Sequence, residues 1–480
     1  MAHGSSRDAA VSLHSSTGRW ILAGSVLGSG AVFLEGTVVN VALPAIARDF
    51  HLGVDGLQWV INGYLLTLSA LMLFGGSLGD RFRRSRVFAI GCAAFAGFTI
   101  GCALAPSLPV LVVLRLLQGI AGALLVPNSL AMLETSFEGE DRGAAIGQWA
   151  GWSAVSTALG PLAGGWLVDA GSWRWVFASV VPFALGAAWT SLRHGPAGER
   201  RGARKTGRLD YVGAVLATLG LAGLVGALIA GPTLGFGTPV LGAGIAGVLL
   251  LIGFVVHERR LGHRHTEPLL PLAVFRSRQF TGANVMTLLV YSALNGLMFL
   301  LMPQLQDNLG YDALKAGAAL LPVNVIMLAL SPVAGRIAAR IGPRLPMVVG
   351  ALTAASAMAL FTRVQPGASY LAAVLPAAIV FGLGLTCMVA PLTAAVLAAV
   401  DSREAGVASA INNAVARLAG LFAAAALPLA AGMGGMTQLE GPSFAAGYAR
   451  AMWICAGLCA AGALVALFTV KGTMVKRRAG

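Results

Sequence analysis

A chain of 480 residues with 57% hydrophobic and only 11% charged side chains, at a mean hydropathy of +0.79, has a membrane composition and is not a string of soluble domains. The formal charge of +14 does not describe a nucleic-acid surface: of the 33 Lys and Arg, 26 fall in loops on one side of the apolar runs, 5 on the other and 2 inside them. That asymmetry is the positive-inside pattern, and it leaves no folded soluble segment to read nucleic acid.

Allowing about 20 apolar residues per crossing, the chain is expected to be an all-α integral membrane protein with fourteen transmembrane helices. The segment up to Gly18 is polar and short. The first apolar run, Trp20 to Val41, is too long for a signal-peptide core and is read as an uncleaved span. The first six helices are expected near 20–43, 57–78, 87–105, 108–130, 143–167 and 174–192. A Leu/Gly/Ala-rich pair follows at 211–230 and 239–256, and the last six fall near 280–302, 314–338, 346–363, 370–397, 405–430 and 449–470.

This gives three units: a six-helix bundle over 1–192, cytosolic linkers with two inserted helices over 193–278, and a second six-helix bundle with a basic tail over 279–480. An even number of crossings puts both termini in the cytoplasm, in keeping with Lys471, Lys476, Arg477 and Arg478 in the tail.

Between the second and third helices, Gly76 to Arg86 reads GSLGDRFRRSR. Gly75, Gly76 and Gly79 allow close helix approach, and Asp80 is placed at a helix end to pair with an Arg. Gly335 to Arg344 (GRIAARIGPR) holds the corresponding place in the second block, the weak internal symmetry expected of a transporter made of two halves. The five cysteines, Cys92, Cys102, Cys387, Cys455 and Cys459, all lie in apolar runs, so neither a disulfide framework nor a zinc site is indicated.

Charges inside spans are the sharpest functional signal, because each is costly at mid-bilayer unless paired or hydrated. Glu35 lies about 22 Å along the first helix from Trp20, and Arg115 about 10 Å below the outer end of the fourth, so the two fall at similar depth. Burial favours the neutral acid while a nearby Arg favours the carboxylate. Two readings stay open: a permanent ion pair joining helices 1 and 4, or a pair that trades a proton during transport. Arg417 in helix 13 has no acidic partner in the second half, and is read equally as structural or as a contact for an anionic group.

In helix 5, STALGPLAGG (Ser156 to Gly165) combines Pro161, which kinks a helix, with Gly160, Gly164 and Gly165, which leave a groove for another helix. This is read as a tight seam near the outer face. Polar and aromatic side chains at Asn40, Trp59, Asn62, Tyr64, Gln148, Trp149, Trp152, Asn295, Met298 and Asn324 are candidates to line a mostly apolar pocket for an amphipathic organic ligand, with Arg417 added to that set. No phosphate-cradling loop and no metal pair occurs. No cofactor is expected beyond a proton gradient.

These motifs resemble the major facilitator superfamily, in particular its fourteen-helix drug:proton antiporter branch. LEGTVVNVALP (Leu34 to Pro44) is similar to that branch's first-helix signature, with Glu35 in place of the usual Asp. The superfamily's loop motif is carried by Gly76, Leu78, Asp80, Arg81 and Arg84, with Arg83 where the motif has Gly. LRLLQGIAGALLVP (Leu114 to Pro127) resembles the helix-4 motif whose Arg, here Arg115, is implicated in proton coupling.

Gly160, Pro161, Gly164 and Gly165 match the antiporter motif, with Ser156 in place of its leading Gly. LDYVGAVL (Leu209 to Leu216) is similar to the opening of the inserted helix pair. The second-half loop motif has Ala339 where the acid belongs.

The resemblance implies the major facilitator fold in a 6+2+6 arrangement, alternating access between two pseudo-symmetric bundles, and export of amphipathic drugs or metabolites from the bacterial inner membrane. Proton entry would drive that export through Glu35 and Arg115. It also recasts Asp80, Arg81, Arg84 and Arg142 as a cytoplasmic latch. The partners expected are a small amphipathic substrate, protons and lipid, with the chain acting as a monomer. A lipid or metabolite exporter of the same fold is the nearer alternative. A membrane-embedded enzyme is the remote one, since six of the seven His fall in cytosolic segments and His51 in an outer loop.

Overall fold

The computed structural model describes residues 11–195, 209–261, 268–400 and 405–472, and all regular structure among them is helical. The basic stretches 196–208 and 262–267, and the tail residues Lys476, Arg477 and Arg478, lie outside the described residues.

The first half comprises α1 (Ser16–Phe50), α2 (Val54–Arg81), α3 (Arg84–Ala103), α4 (Leu108–Ala123), α5 (Val126–Ser136), α6 (Gly139–Ala170) and α7 (Arg174–His194). The insert is α8 (Tyr211–Leu234) and α9 (Thr238–Leu261). The second half comprises α10 (Arg278–Pro303), α11 (Ala313–Ala318), α12 (Leu321–Ile341), α13 (Arg344–Phe361), α14 (Leu375–Ala398), α15 (Ala405–Ala430) and α16 (Pro442–Thr469).

Thirteen helical segments are long and apolar enough to cross a membrane, by length and composition. Two of them are broken: α4 gives way to α5 at Leu124 and Leu125, just ahead of Pro127, and α11 gives way to α12 just ahead of Pro322. Pro is tolerated in the first turn of a helix, where its missing N–H has no partner to lose. The fourteenth expected crossing, α6, is 32 residues long. Its apolar character is diluted by Glu140 and Asp141 in its first turn and by Gly, Ser and Thr along its length.

Small residues set the helix spacing. A Cβ on Gly75 would run into the Ala123 carbonyl, and one on Gly79 into Asn128. The Asn128 amide then donates to the Gly75 carbonyl at 3.0 Å, tying α2 to the break between α4 and α5. In the insert, Gly220 and Gly223 of α8 lie against Gly247 of α9, the close backbone approach that replaces hydrophobic drive inside a bilayer.

The inserted pair docks through α8, whose Leu221, Val225 and Ile229 pack with Leu66 of α2 and with Leu421 and Ala425 of α15. α9 is turned outward, with Ile245, Leu249 and Ile252 exposed, as a lipid-facing helix would be. Asp210 caps α8 by accepting from Gly213 N at 2.8 Å and pairs with His257 of α9 at 2.8 Å. Trp59 belongs to this α2–α8–α15 cluster and sits beside Gly226. Trp59, expected as a cavity-lining residue, is thus the candidate that packs toward the insert.

The halves meet at the end away from the basic loops. Gly165 of α6 lies under the Ala313 carbonyl and Gly317 of α11 under the Pro161 carbonyl. The Asp169 carboxylate accepts from Ala313 N at 3.1 Å and Leu314 N at 2.8 Å. Arg48 pairs with Asp307 at 3.0 Å. Gln306 Nε2 donates to the Val41 carbonyl at 2.9 Å, and Gln58 Nε2 to those of Ala424 and Ala425 at 2.7 and 3.0 Å. Toward the basic end α6 and α12 diverge. Gly143, Gly147 and Gly151 have nothing within 4 Å of a Cβ position, while Val325, Leu328 and Ile337 are exposed. Among the described residues, hydrogen bonds between the halves lie at the end away from the basic loops or at mid-depth, while at the basic end α6 and α12 stand apart and Gly406 of α15 comes within 3.6 Å of Glu134 of α5 at its Cβ position.

Candidate coupling site between the halves

Glu35 and Arg115, brought to a common depth by counting along two helices, are in contact: Arg115 Nη1 donates to Glu35 Oε1. Both side chains are fully buried. Arg115 is held from several sides, with Nε donating to the Val60 carbonyl at 3.0 Å and Nη1 to Gln118 Oε1 at 2.8 Å. Its guanidinium lies 4.5 Å from the Tyr64 ring centroid and 5.8 Å from that of Phe177.

Gln118 is fixed in turn, donating from Nε2 to Thr99 Oγ1 at 2.8 Å. Sequence reasoning did not single out Gln118. Its spacing of three from Arg115, which places both on one face of α4, is the signal that would have found it.

The acid is only half satisfied. Glu35 Oε2 is buried and makes no hydrogen bond among the described residues. A buried acceptor left without a donor costs the desolvation of that group, and a proton delivered to Oε2 would convert it to a donor. The Tyr64 hydroxyl, on the ring beside Arg115, is likewise buried without a partner, and so are both amide atoms of Asn62 elsewhere on α2. The site thus keeps unused hydrogen-bonding capacity in an otherwise apolar interior.

Arg417 enters from the other half. Its guanidinium stacks over Phe33 of α1 at 5.1 Å, and Nη1 stands 3.8 Å from the Cβ position of Gly36. The acid nearest to Arg417 along α1 is therefore Glu35 of the other half, one residue before Gly36 and not in contact with the guanidinium. Phe33 meets Trp149 edge-on at 6.3 Å, and Trp149 Nε1 donates to Ser29 Oγ at 2.9 Å, so Trp149 joins α6 to α1.

The remaining cavity candidates are partly buried. Asn40 and Asn295 donate to their own helices, at Gly36 O and Tyr291 O, which leaves each carbonyl oxygen available. Met298 packs on the core, and Asn324 reaches the Ala158 carbonyl of α6 at 3.4 Å. Gln148 and Trp152 lie exposed on α6.

In the antiporter segment, a Cβ on Gly160 would meet Thr37, and one on Gly164 would lie 2.6 Å from Val38 Cγ2. Gly160 and Gly164 therefore seat α1, while Gly165 and Pro161 receive α11 from the other half.

At the basic end Asp80 Oδ1 accepts from Arg84 Nε at 3.1 Å, and Arg84 Nη1 donates to the Ala131 carbonyl at 3.1 Å. Arg142, in the first turn of α6, acts with Arg84 and Asp80 on Glu134, an acid that sequence reasoning passed over. Arg83 has an extended backbone at φ −75°, so the position does not require a glycine. Arg81 closes α2 as the basic residue of its last turn.

Comparison with known proteins places this architecture. The chain matches the Major Facilitator Superfamily family model over residues 25–209 and 204–424. It is 38% identical over 402 residues to the puromycin resistance protein of Streptomyces alboniger, covering 82% of this chain and 78% of that one. It is 35% identical to the tetracenomycin C resistance and export protein of Streptomyces glaucescens, covering 84% and 73%. It is 32% identical to a multidrug resistance protein of Mycobacterium tuberculosis, covering 81% and 71%.

Among solved structures, a bacterial homolog of the human lysosomal transporter Spinster, inward-facing and unoccupied, aligns with a TM-score of 0.66 at 16% identity over 95% of this chain and 97% of that one. A peptide transporter in complex with sulfate aligns at 0.68 and 16% identity over 95% and 96%. At that identity the likeness speaks for the fold alone. The fold, the family match and the resistance-protein relatives lead to one conclusion: the chain is a multi-pass membrane transporter of the Major Facilitator Superfamily, within its drug-efflux branch.

Proposed function

We propose that this protein is a proton-coupled antiporter that exports amphipathic organic compounds from the cell by alternating access. The observation that carries the reading is the fully buried Glu35, ion-paired through one oxygen to Arg115 and with its second oxygen unused. An ionisable residue buried inside a membrane span is by default a candidate for a proton pathway. The relatives' roles in resistance to puromycin and in tetracenomycin C export support a drug-like substrate.

The protein would sit in the bacterial inner membrane with its basic end and both termini in the cytoplasm, acting as a monomer. A state opened at the basic end would then load substrate from inside. Substrate favours closure of the basic end and release at the opposite side. A proton reaching Glu35 from outside neutralises it and favours the return. Coupling requires that proton and substrate differ in affinity for the two states, and Glu35 supplies that difference for the proton.

The test uses purified full-length protein in liposomes loaded with radiolabelled puromycin, with and without an imposed pH gradient. Gradient-driven movement should be at least about tenfold faster than movement without a gradient, equivalent to about 1.4 kcal/mol, and Glu35→Gln should abolish the difference while leaving folding intact. Movement indifferent to the gradient would refute antiport.

A further inference from the structure

The groups that hold Glu35 from α4, Arg115 and Gln118, belong to its own half. So do Tyr64 on α2 and Cys102 on α3, the other titratable groups that feel its charge. α7 contributes the uncharged Phe177 beside Arg115, and α6 presses Gly160 against the Leu34 turn. If the halves rock as rigid bodies, none of these surroundings changes.

Arg417 differs. It projects from α15, lies against Phe33 and Gly36 on either side of Glu35 in sequence, and among the described residues makes no hydrogen bond or ion pair of its own. On the second half, α10 sets Tyr291 within reach of the Arg417 charge. Arg417, from one half, thus reaches the turn of α1 that carries the half-satisfied acid of the other, on the face formed by Phe33 and Gly36 while Glu35 points to α4.

We propose that Arg417 is the positioning residue through which the arrangement of the two halves reaches Glu35, its approach and withdrawal setting when the acid holds a proton. With Arg417 near, the carboxylate is favoured; with Arg417 drawn away, the proton is favoured. Access and proton occupancy are then linked without any contact between Arg417 and the transported compound. This rests on the reading of Glu35 as the proton-carrying residue, and it identifies the part of that site that senses conformation.

The test measures proton binding without transport. Full-length protein in lipid nanodiscs is titrated by infrared spectroscopy, following the protonated-carboxyl band that Glu35→Gln removes. Arg417→Gln should move the midpoint of that band to higher pH by about one unit, and Arg417→Lys, which keeps the charge, should stay within about half a unit of wild type.

The second arm uses the Arg48→Cys, Asp307→Cys double variant with and without a bismaleimide bridge, which locks the closed end. The bridge should shift the midpoint by at least about half a unit when Arg417 is present and not when it is Gln. Should Arg417→Gln fail to fold, the bridged and unbridged comparison with Arg417 intact carries the test.

An unchanged midpoint in Arg417→Gln, a bridge effect that persists without Arg417, or no bridge effect with it would overturn the proposal. No titrating band between about pH 4 and 10 would do the same. Because no substrate is involved, an Arg417-dependent titration alongside gradient-independent export would count against the export reading alone. The converse pair of results would count against Arg417 alone.

Discussion

The donors of Arg115 are committed in two directions, Nε to the Val60 carbonyl and Nη1 to Gln118 and Glu35. A planar guanidinium can span these; a lysine ammonium, a single point at the end of a flexible stem, cannot. Arg115→Lys is therefore expected to keep the charge, fold and insert, yet to slow export by at least about tenfold, since one lost charge-assisted hydrogen bond is worth roughly 1.5–3 kcal/mol. Export at the wild-type rate would show that charge alone suffices.

The sequence made this pair legible, because two charges in apolar runs can be placed at one depth from the helical rise. Arg417 was harder to place. Its counter-charge lies in the other half, and depth along a helix says nothing about which helix it faces. Trp59 was hard to place for the same reason, being on a face of α2 whose packing only the docking of α8 assigns.

At the scale of elements, the meeting of α6 and α11 rests on glycines that leave no room for a side chain. Gly317→Val would force a branched side chain against the Pro161 carbonyl. It is expected to lower cross-linking between cysteines at 48 and 307 by at least about threefold, as a closed end destabilised by somewhat under 1.4 kcal/mol would. Gly143→Ala, on the open stretch of α6, should leave cross-linking unchanged. Equal yields for the two variants would mean that the glycine contact does not hold the seam.

The basic loop gives a second contrast. Asp80 and Arg84 are partly exposed, so their pair contributes under about 1 kcal/mol to stability and its importance lies in turnover. Asp80→Asn should slow export several-fold with little change in thermal stability. Arg83→Gly should stay near wild type, because the backbone there is ordinary. Similar export rates for wild type and Asp80→Asn would reduce the loop to a topological tag.

For the whole molecule, apolar run length was enough to lay out the helices. The span expected at 405–430 coincides with α15 (Ala405–Ala430). α1 (Ser16–Phe50) and α16 (Pro442–Thr469) overrun their expected spans, because a helix continues past the apolar core as long as its backbone bonds are met. The breaks at Leu124 and Leu320, and the π turns at Gln304–Asn308 and Tyr370–Val374, carry no hydropathy signal. The two breaks fall just ahead of Pro127 and Pro322, where a proline starts the next helix. Which end is closed is likewise set by contacts between distant segments, Arg48 with Asp307 and Asp169 with α11, that only the assembled fold brings together.

The central claim is that substrate leaves as protons enter through Glu35. Its most direct test follows both fluxes at once in sealed liposomes with no imposed gradient, adding on one side an amphipathic compound that the protein transports and recording pH on the other with a trapped dye. The account predicts a proton flux opposite in direction to the compound that disappears in Glu35→Gln while binding of the compound is retained. Movement of the compound with no accompanying proton flux in the wild-type protein, or an equal proton flux in Glu35→Gln, would contradict it.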